Sequence, residues 1–144
     1  MFKKREHAAP LIKMMSEAIE RKANGILQKY HVTSCQVHLL AALCAMENGE
    51  CTLKELEKEF SFSSAAIAGV VTRLEVKNFI TGSAHPTDKR IKCIRITDDG
   101  RKIAEASEKE LTKLEGYLLQ DFSEKEKQVL LAQLMKVYER SIEL

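Results

Sequence analysis

Three times along this chain a Ser or Thr is followed, three residues on, by Gln or Glu: Thr33-Ser34-Cys35-Gln36, Thr52-Leu53-Lys54-Glu55 and Ser123-Glu124-Lys125-Glu126. This is the capping-box pattern. The hydroxyl accepts one of the free backbone N–H groups at a helix start, and the longer side chain reaches back to another. Three helix starts are thus fixed before any periodicity is read, and apolar spacing fills in the rest. Leu11, Met15, Ile19, Ile26 and Tyr30 place a first helix over 8–29. Val37, Leu40, Ala41 and Cys44 give a second helix, over 34–46, an inward face. Asn48-Gly49 stops it, because both residues tolerate left-handed backbone. A short third helix covers 53–60. A fourth starts after Ser63 and runs to about Lys77, with Ile67, Val71 and Leu74 inward and Asn78 as a left-handed stop.

The pattern then changes. Residues 79–85 and 91–97 read as two short strands around the turn Pro86-Thr87-Asp88-Lys89. Alternation puts Ile91, Cys93, Arg95 and Thr97 on one face, and Lys92, Ile94 and Ile96 on the other. Thr97 or Asp98 caps a fifth helix through Ser107 and Leu111 to about Gln120, and a last helix covers 124–142. The expected class is mainly α with a small β-hairpin, in the order α-α-α-α-β-β-α-α, as one domain over 1–144. No apolar run approaches the ~20 residues of a bilayer span. The basic start Met1-Phe2-Lys3-Lys4-Arg5-Glu6-His7 is followed by no signal-like apolar stretch. A cytoplasmic protein with no membrane partner is expected, and its four cysteines, none in a C-x-x-C pair, read as reduced thiols.

Between Thr52 and Thr97 the order is helix, short turn, helix, hairpin. A helix pair joined by a tight turn can present its second helix to a DNA major groove, and a hairpin directly after it can act as a wing. The formal net charge is only +2, so the distribution of charge has to carry this reading. Residues 79–97 hold Lys89, Arg90, Lys92 and Arg95 against the single acid Asp88, a formal +3. Such residues neutralise phosphates. A charged hairpin also deters edge-to-edge aggregation, so charge alone leaves both readings open.

Several blocks together resemble the MarR family. Thr33 through Leu40 is similar to its "L-T-x-x-Q-x-x-x-L" helix opening, and Thr52-Leu53-Lys54-Glu55-Leu56 to its "T-x-x-E-L". Phe62-Ser63 through Ile67, Val71, Arg73, Leu74 and Glu75 resembles its recognition helix. Pro86-Thr87-Asp88-Lys89-Arg90, then Ile96-Thr97-Asp98-Asp99-Gly100, resembles its wing signature. The resemblance implies a winged helix-turn-helix lobe over 34–100, with 1–33 and 101–144 forming a helical dimerisation region. It implies Ser63 as the N-cap of the recognition helix, with Ser64, Ala65, Ala68, Gly69 and Thr72 facing the groove and Arg73 near the backbone. Arg90 would enter the minor groove, oriented by Asp88, while Lys89 and Lys92 approach phosphates. It also implies a sequence-specific regulator of transcription, a repressor released by a small molecule, an oxidant or a metal. The partners are then a pseudo-palindromic duplex, a second copy of the chain and an effector, with no cofactor.

Three positions depart from that pattern. Asn78 stands where Gly is usual, Gly82 where a basic residue often begins the wing, and the recognition face is small at Ala65, Ala68 and Gly69. Small residues allow close approach and thymine-methyl contact but no bidentate hydrogen bonds, so DNA shape and the wing are expected to carry much of the specificity. The terminal helices carry more apolar residues than a small winged lobe can cover. Leu111, Leu114, Leu118 and Phe122 form one stripe; Leu130, Leu131, Leu134, Val137, Tyr138 and Ile142 form another. Such surface calls for a partner, and a two-fold dimer would set two recognition helices ~34–36 Å apart.

For the effector, Cys35 lies two residues past a helix cap, where the dipole favours a thiolate, although a small buried residue is the commoner fate of such a cysteine. His31, Cys35 and His38 match no strong zinc spacing, and no metal site is assigned. Met14, Met15, Tyr30 and His38 are candidates to line a ligand crevice. No Ser-His-Asp order, phosphate loop or paired-carboxylate arrangement points to an enzyme. The alternative from another class is a winged-helix protein-interaction module, or anti-regulator, that does not bind DNA.

Overall fold

The structure, a computed structural model, describes residues 5–60 and 63–143. Its elements are α1 (Ala8–Leu27), α2 (Ser34–Ala45), β1 (Glu50–Thr52), α3 (Leu53–Glu59), α4 (Ser64–Val76), β2 (Ile80–Ala84), β3 (Lys92–Ile96), α5 (Asp98–Leu118) and α6 (Glu124–Ile142). All three capping boxes close. Thr33 Oγ1 accepts from Gln36 N at 3.2 Å while Gln36 Oε1 accepts from Thr33 N at 3.2 Å. Thr52 pairs with Glu55, and Ser123 with Glu126, in the same reciprocal way. The expected helix stops are also present: Asn48 and Asn78 sit at φ 57° and 60°. Phe62 and the basic residues Lys3 and Lys4, used above, lie outside the described residues.

Two expectations need correction. The hairpin is not alone: β1 adds a third strand, giving an antiparallel sheet in the order β1-β3-β2. Glu50 pairs with Arg95, Cys51 with Ile94 and Thr52 with Cys93. Three residues are too few for an alternation to show, and Thr52 already serves as the N-cap of α3. The inward face of α2 also differs. Gln36, Val37, Leu39, Leu40 and Leu43 are buried, whereas Cys44 is exposed. This helix meets α1, α3, α4 and β3, so it is covered on several sides and a one-stripe rule fails.

The chain forms two compact units, one up to Glu110 and one from Leu111. The division falls inside α5 and not near residue 100, because Ala104 and Ile103 belong to the core of the first unit. That core joins Leu40 and Leu43 of α2, Leu56 of α3, Ile67, Val71 and Leu74 of α4, Ile80 of β2, and Ile94 and Ile96 of β3. Lys77, just past α4, ties the helix to the α1–α2 connection. Its Nζ donates to the His31 carbonyl and to Gln36 Oε1 at 3.1 Å. In the second unit no α6 side chain is buried, and Val129, Leu131, Met135, Val137 and Tyr138 stand exposed. On α1 of the first unit Leu11, Met14, Met15 and Ile19 do the same.

The start of α5 is clamped to the turn after α4. Thr97 Oγ1 donates to the Asn78 carbonyl at 2.8 Å and accepts from Gly100 N at 3.0 Å, while Thr97 N donates to the Phe79 carbonyl at 3.0 Å. A Cβ at Gly100 would lie 2.1 Å from the Phe79 carbonyl oxygen and 2.8 Å from Ile96 Cγ1. Backbone cannot yield as a side-chain tip does. Gly100→Ala should therefore destabilise the first unit by about 1–3 kcal/mol, read as a lowered urea midpoint; an unchanged midpoint would show that the junction is loose.

Candidate nucleic-acid interface

The outer face of α4 follows from its inner one. Burying Ile67, Val70, Val71 and Leu74 turns Ser64, Ala65 and Thr72 outward, where they are exposed, with Ala68 and Gly69 half-buried beside them. Ser63 caps the helix, its Oγ accepting from Ala66 N at 3.2 Å. The Thr72 hydroxyl donates to the Ala68 carbonyl at 2.9 Å, which leaves its lone pairs as acceptors. Arg73 is exposed and lies back along the helix, its guanidinium 3.8 Å from where a Cβ at Gly69 would stand.

At the far end of the hairpin the turn is held by its own polar groups. His85 N donates to the Ile91 carbonyl at 2.9 Å, and Ile91 N to the Asp88 carbonyl at 3.0 Å. Thr87 N donates to His85 Nδ1 at 3.2 Å. Asp88 grips Arg90 three times: Oδ1 accepts from Arg90 N at 3.0 Å and from Nε at 3.1 Å, and Oδ2 accepts from Nη2 at 3.1 Å. The Arg90 side chain is nonetheless 90% exposed. A planar guanidinium is thus fixed in direction while its outer edge stays open. The side-chain hydrogen bond from Arg90, helped by its backbone N–H, holds the Asp88 carboxyl below the usual aspartate range.

The stem of the hairpin is less positive than its residue count suggests. Lys92 Nζ is paired with Glu75 of α4. Arg95 donates from Nε at 2.9 Å and from Nη2 at 2.7 Å to Glu50 Oε2 on β1. Lys92 is therefore engaged by a carboxylate instead of standing open to phosphate. The two acids lie outside residues 79–97, and only the fold brings them to the hairpin. A register that includes β1 would have revealed Glu50; Glu75 carries no such signal in the sequence.

The four candidate effector residues are scattered in character. Met15 and His38 are exposed, Cys35 and Tyr30 half-buried, and the Lys29 ammonium lies 5.2 Å from the centre of the Tyr30 ring. A groove of about 810 Å³ lies between the 46–59 stretch and the hairpin, lined in part by Glu47, Glu55, His85 and Cys93 and by none of those four. Among the described residues no three His, Cys, Asp or Glu side chains gather as metal ligands. At Cys35 burial pushes the thiol up, Glu20 adds to the shift, and Arg73 opposes it, which of the two readings favours the small buried residue over the thiolate. Burial likewise pushes Cys51 up to about 11.

Residues 32–92 match the MarR family. MarR, the multiple antibiotic resistance protein of Salmonella typhimurium, is 32% identical over 96 residues, 66% of this chain and 65% of that protein. YdgJ of Bacillus subtilis, an uncharacterised HTH-type transcriptional regulator, is 31% identical over 88 residues, 61% of this chain and 54% of that one. The matched segment thus spans between half and two thirds of the length of these relatives. A cysteine-to-serine mutant of MarR from E. coli, complexed with operator DNA, superposes with a TM-score of 0.79 at 27% identity, covering 88% of this chain and 90% of that one. S. aureus MepR in complex with DNA gives 0.86 at 26% identity, covering 93% and 98%.

Two checks follow from this geometry. Because the folded Asp88 carboxyl is held down, its grip is complete at neutral pH and is lost only as pH falls through the lowered value. The Arg90 Nε–H resonance should stay still in a downward titration until the ordinary aspartate range is passed; movement at or above that range would show that the grip is absent. Iodoacetamide at pH 7 should alkylate Cys35 more slowly than free cysteine, read by mass spectrometry, and a faster rate would restore a sensing role.

Proposed function

We propose that this chain is a MarR-family protein and that it binds double-stranded DNA as a transcriptional regulator. The observation that carries the reading is the pairing of two features on one core: the exposed face of α4 and a hairpin tip where Asp88 aims an open Arg90. Ser63, Ser64, Ala65, Ala68, Gly69 and Thr72 line the major groove, with Arg73 toward the backbone. Their small size lets the helix axis approach the base edges. Arg90 enters the adjoining minor groove and Lys89 meets phosphate. The two DNA-bound relatives support this arrangement. Among the described residues no helix is long and apolar enough to cross a membrane.

A second copy completes the reader. The apolar surface left exposed on α1 and on α6 is the material for a two-fold interface built from 1–33 and 101–144, which presents two lobes to a pseudo-palindromic site. Release by a small-molecule effector belongs to the same proposal, and the chain carries no enzymatic role in it. The neutralised stem cations favour one rival, a protein-interaction lobe without DNA affinity.

Fluorescence anisotropy separates the two. A duplex taken from upstream of the chain's own gene should bind at low salt, with affinity falling steeply as salt rises. Arg90→Ala should weaken binding about 10- to 100-fold. No binding to any upstream fragment, or a chain that sediments as a monomer at working concentration, would favour the rival.

A further inference from the structure

A glycine opens the middle of β2 where the ion pair between α4 and the wing is seated. Gly82 faces Glu75 and Lys92. A Cβ at this position would come within 2.8 Å of Lys92 Cε and within 3.3 Å of both Glu75 carboxylate oxygens. Any larger residue would force the tip of Lys92 to shift beside its carboxylate. The pair itself is partly shielded, with the two side chains 41% and 32% exposed, and Lys92 lies opposite Ala84 on the neighbouring strand, another small residue. The pair therefore joins the last full turn of α4 to the stem of the wing through a gap that only small side chains leave.

We infer that Glu75 and Lys92, seated across Gly82, are positioning residues that set the wing tip relative to the recognition helix, and that Lys92 is not a phosphate contact. This rests on the DNA-binding reading above. Its physical content is a trade. A basic stem residue left open would add one released counterion to the binding equilibrium. Tied to Glu75, the same residue adds none, but it limits the angles from which Arg90 can approach a minor groove beside α4. The wing then delivers its charge at the tip, where Lys89 and Arg90 stand, and keeps the stem electrically quiet. Arg95 on Glu50 does the same for the outer edge of the sheet.

The test uses Gly82→Ala, which leaves every charge in place, beside Glu75→Gln, Lys92→Gln and the double variant Glu75→Gln/Lys92→Gln. Each is titrated by anisotropy against the labelled upstream duplex across a salt series, with urea midpoints measured in parallel. A brace predicts that all four bind about two- to fivefold more weakly, the range set by a partly exposed ion pair. The double variant should be no worse than either single one. In Lys92→Gln and the double variant, where no stem amine is freed, the slope of log K against log salt should match the unaltered chain, and the urea midpoints of all four should hold. If Lys92 is a phosphate contact, Lys92→Gln flattens the slope by about 0.9, while Glu75→Gln and Gly82→Ala free the amine and tighten binding; either result overturns the inference. So does unchanged affinity in all four. If the unaltered chain binds no duplex, the DNA-binding reading falls, and hydrogen exchange without DNA decides the brace. Faster exchange of the amides of 80–92 in Gly82→Ala and Glu75→Gln supports it, and unchanged exchange overturns it.

Discussion

One hydrophobic core holds both halves of the proposed reader. The inner face of α4 contributes Ile67, Val71 and Leu74, and the sheet contributes Ile80, Ile94 and Ile96 to the same cluster. The outward face of the helix and the emergence of the hairpin are therefore not separate choices. Fixing those apolar side chains fixes the direction in which Ser64, Ala65 and Thr72 look and the line along which the strands leave the body. Interiors packed to crystal density transmit displacement poorly tolerated elsewhere, so a disturbance at Leu74 or Ile94 is felt at both contact elements together. Polar ties refine that frame. Lys77 fixes the end of α4 to the α1–α2 connection, and Thr97 fixes the end of β3 to the start of α5.

Much of this was legible in the residues alone, because the signals were local. A capping box needs only four residues, and all three closed as read. Left-handed stops at Asn48 and Asn78 depend on one residue's tolerance for positive φ. The inward stripe of α4 survived because that helix is buried on one side only. The stripe on α2 did not, since a helix covered from several directions has no single apolar face to reveal. The strand β1 was hidden by its length and by the helix signal that begins at its last residue.

The electrostatics of the wing were legible only in part, for a related reason. Counting charges along a hairpin assumes that its neighbours are neutral. Glu50 and Glu75 come from other elements and cancel Arg95 and Lys92, while Asp88, the third residue of a turn visible in the sequence, does lie beside Arg90. Local acids can be counted in; distant ones wait for the fold. The thiols show the same limit. A helix start argues for an acidic Cys35, but burial is a property of the assembled chain and acts the other way.

Thr52 occupies two roles at once. It is the last residue of β1, opposite Cys93, and its hydroxyl begins α3 by accepting from Glu55 N. Slippage of that strand by a single step would turn Cys51 toward water and Glu50 toward the interior. It would also take the threonine away from the helix it initiates. Pairing frame and helix origin are thereby locked together, so the small sheet has one admissible alignment, and the hairpin inherits its pitch from a side chain at its opposite margin.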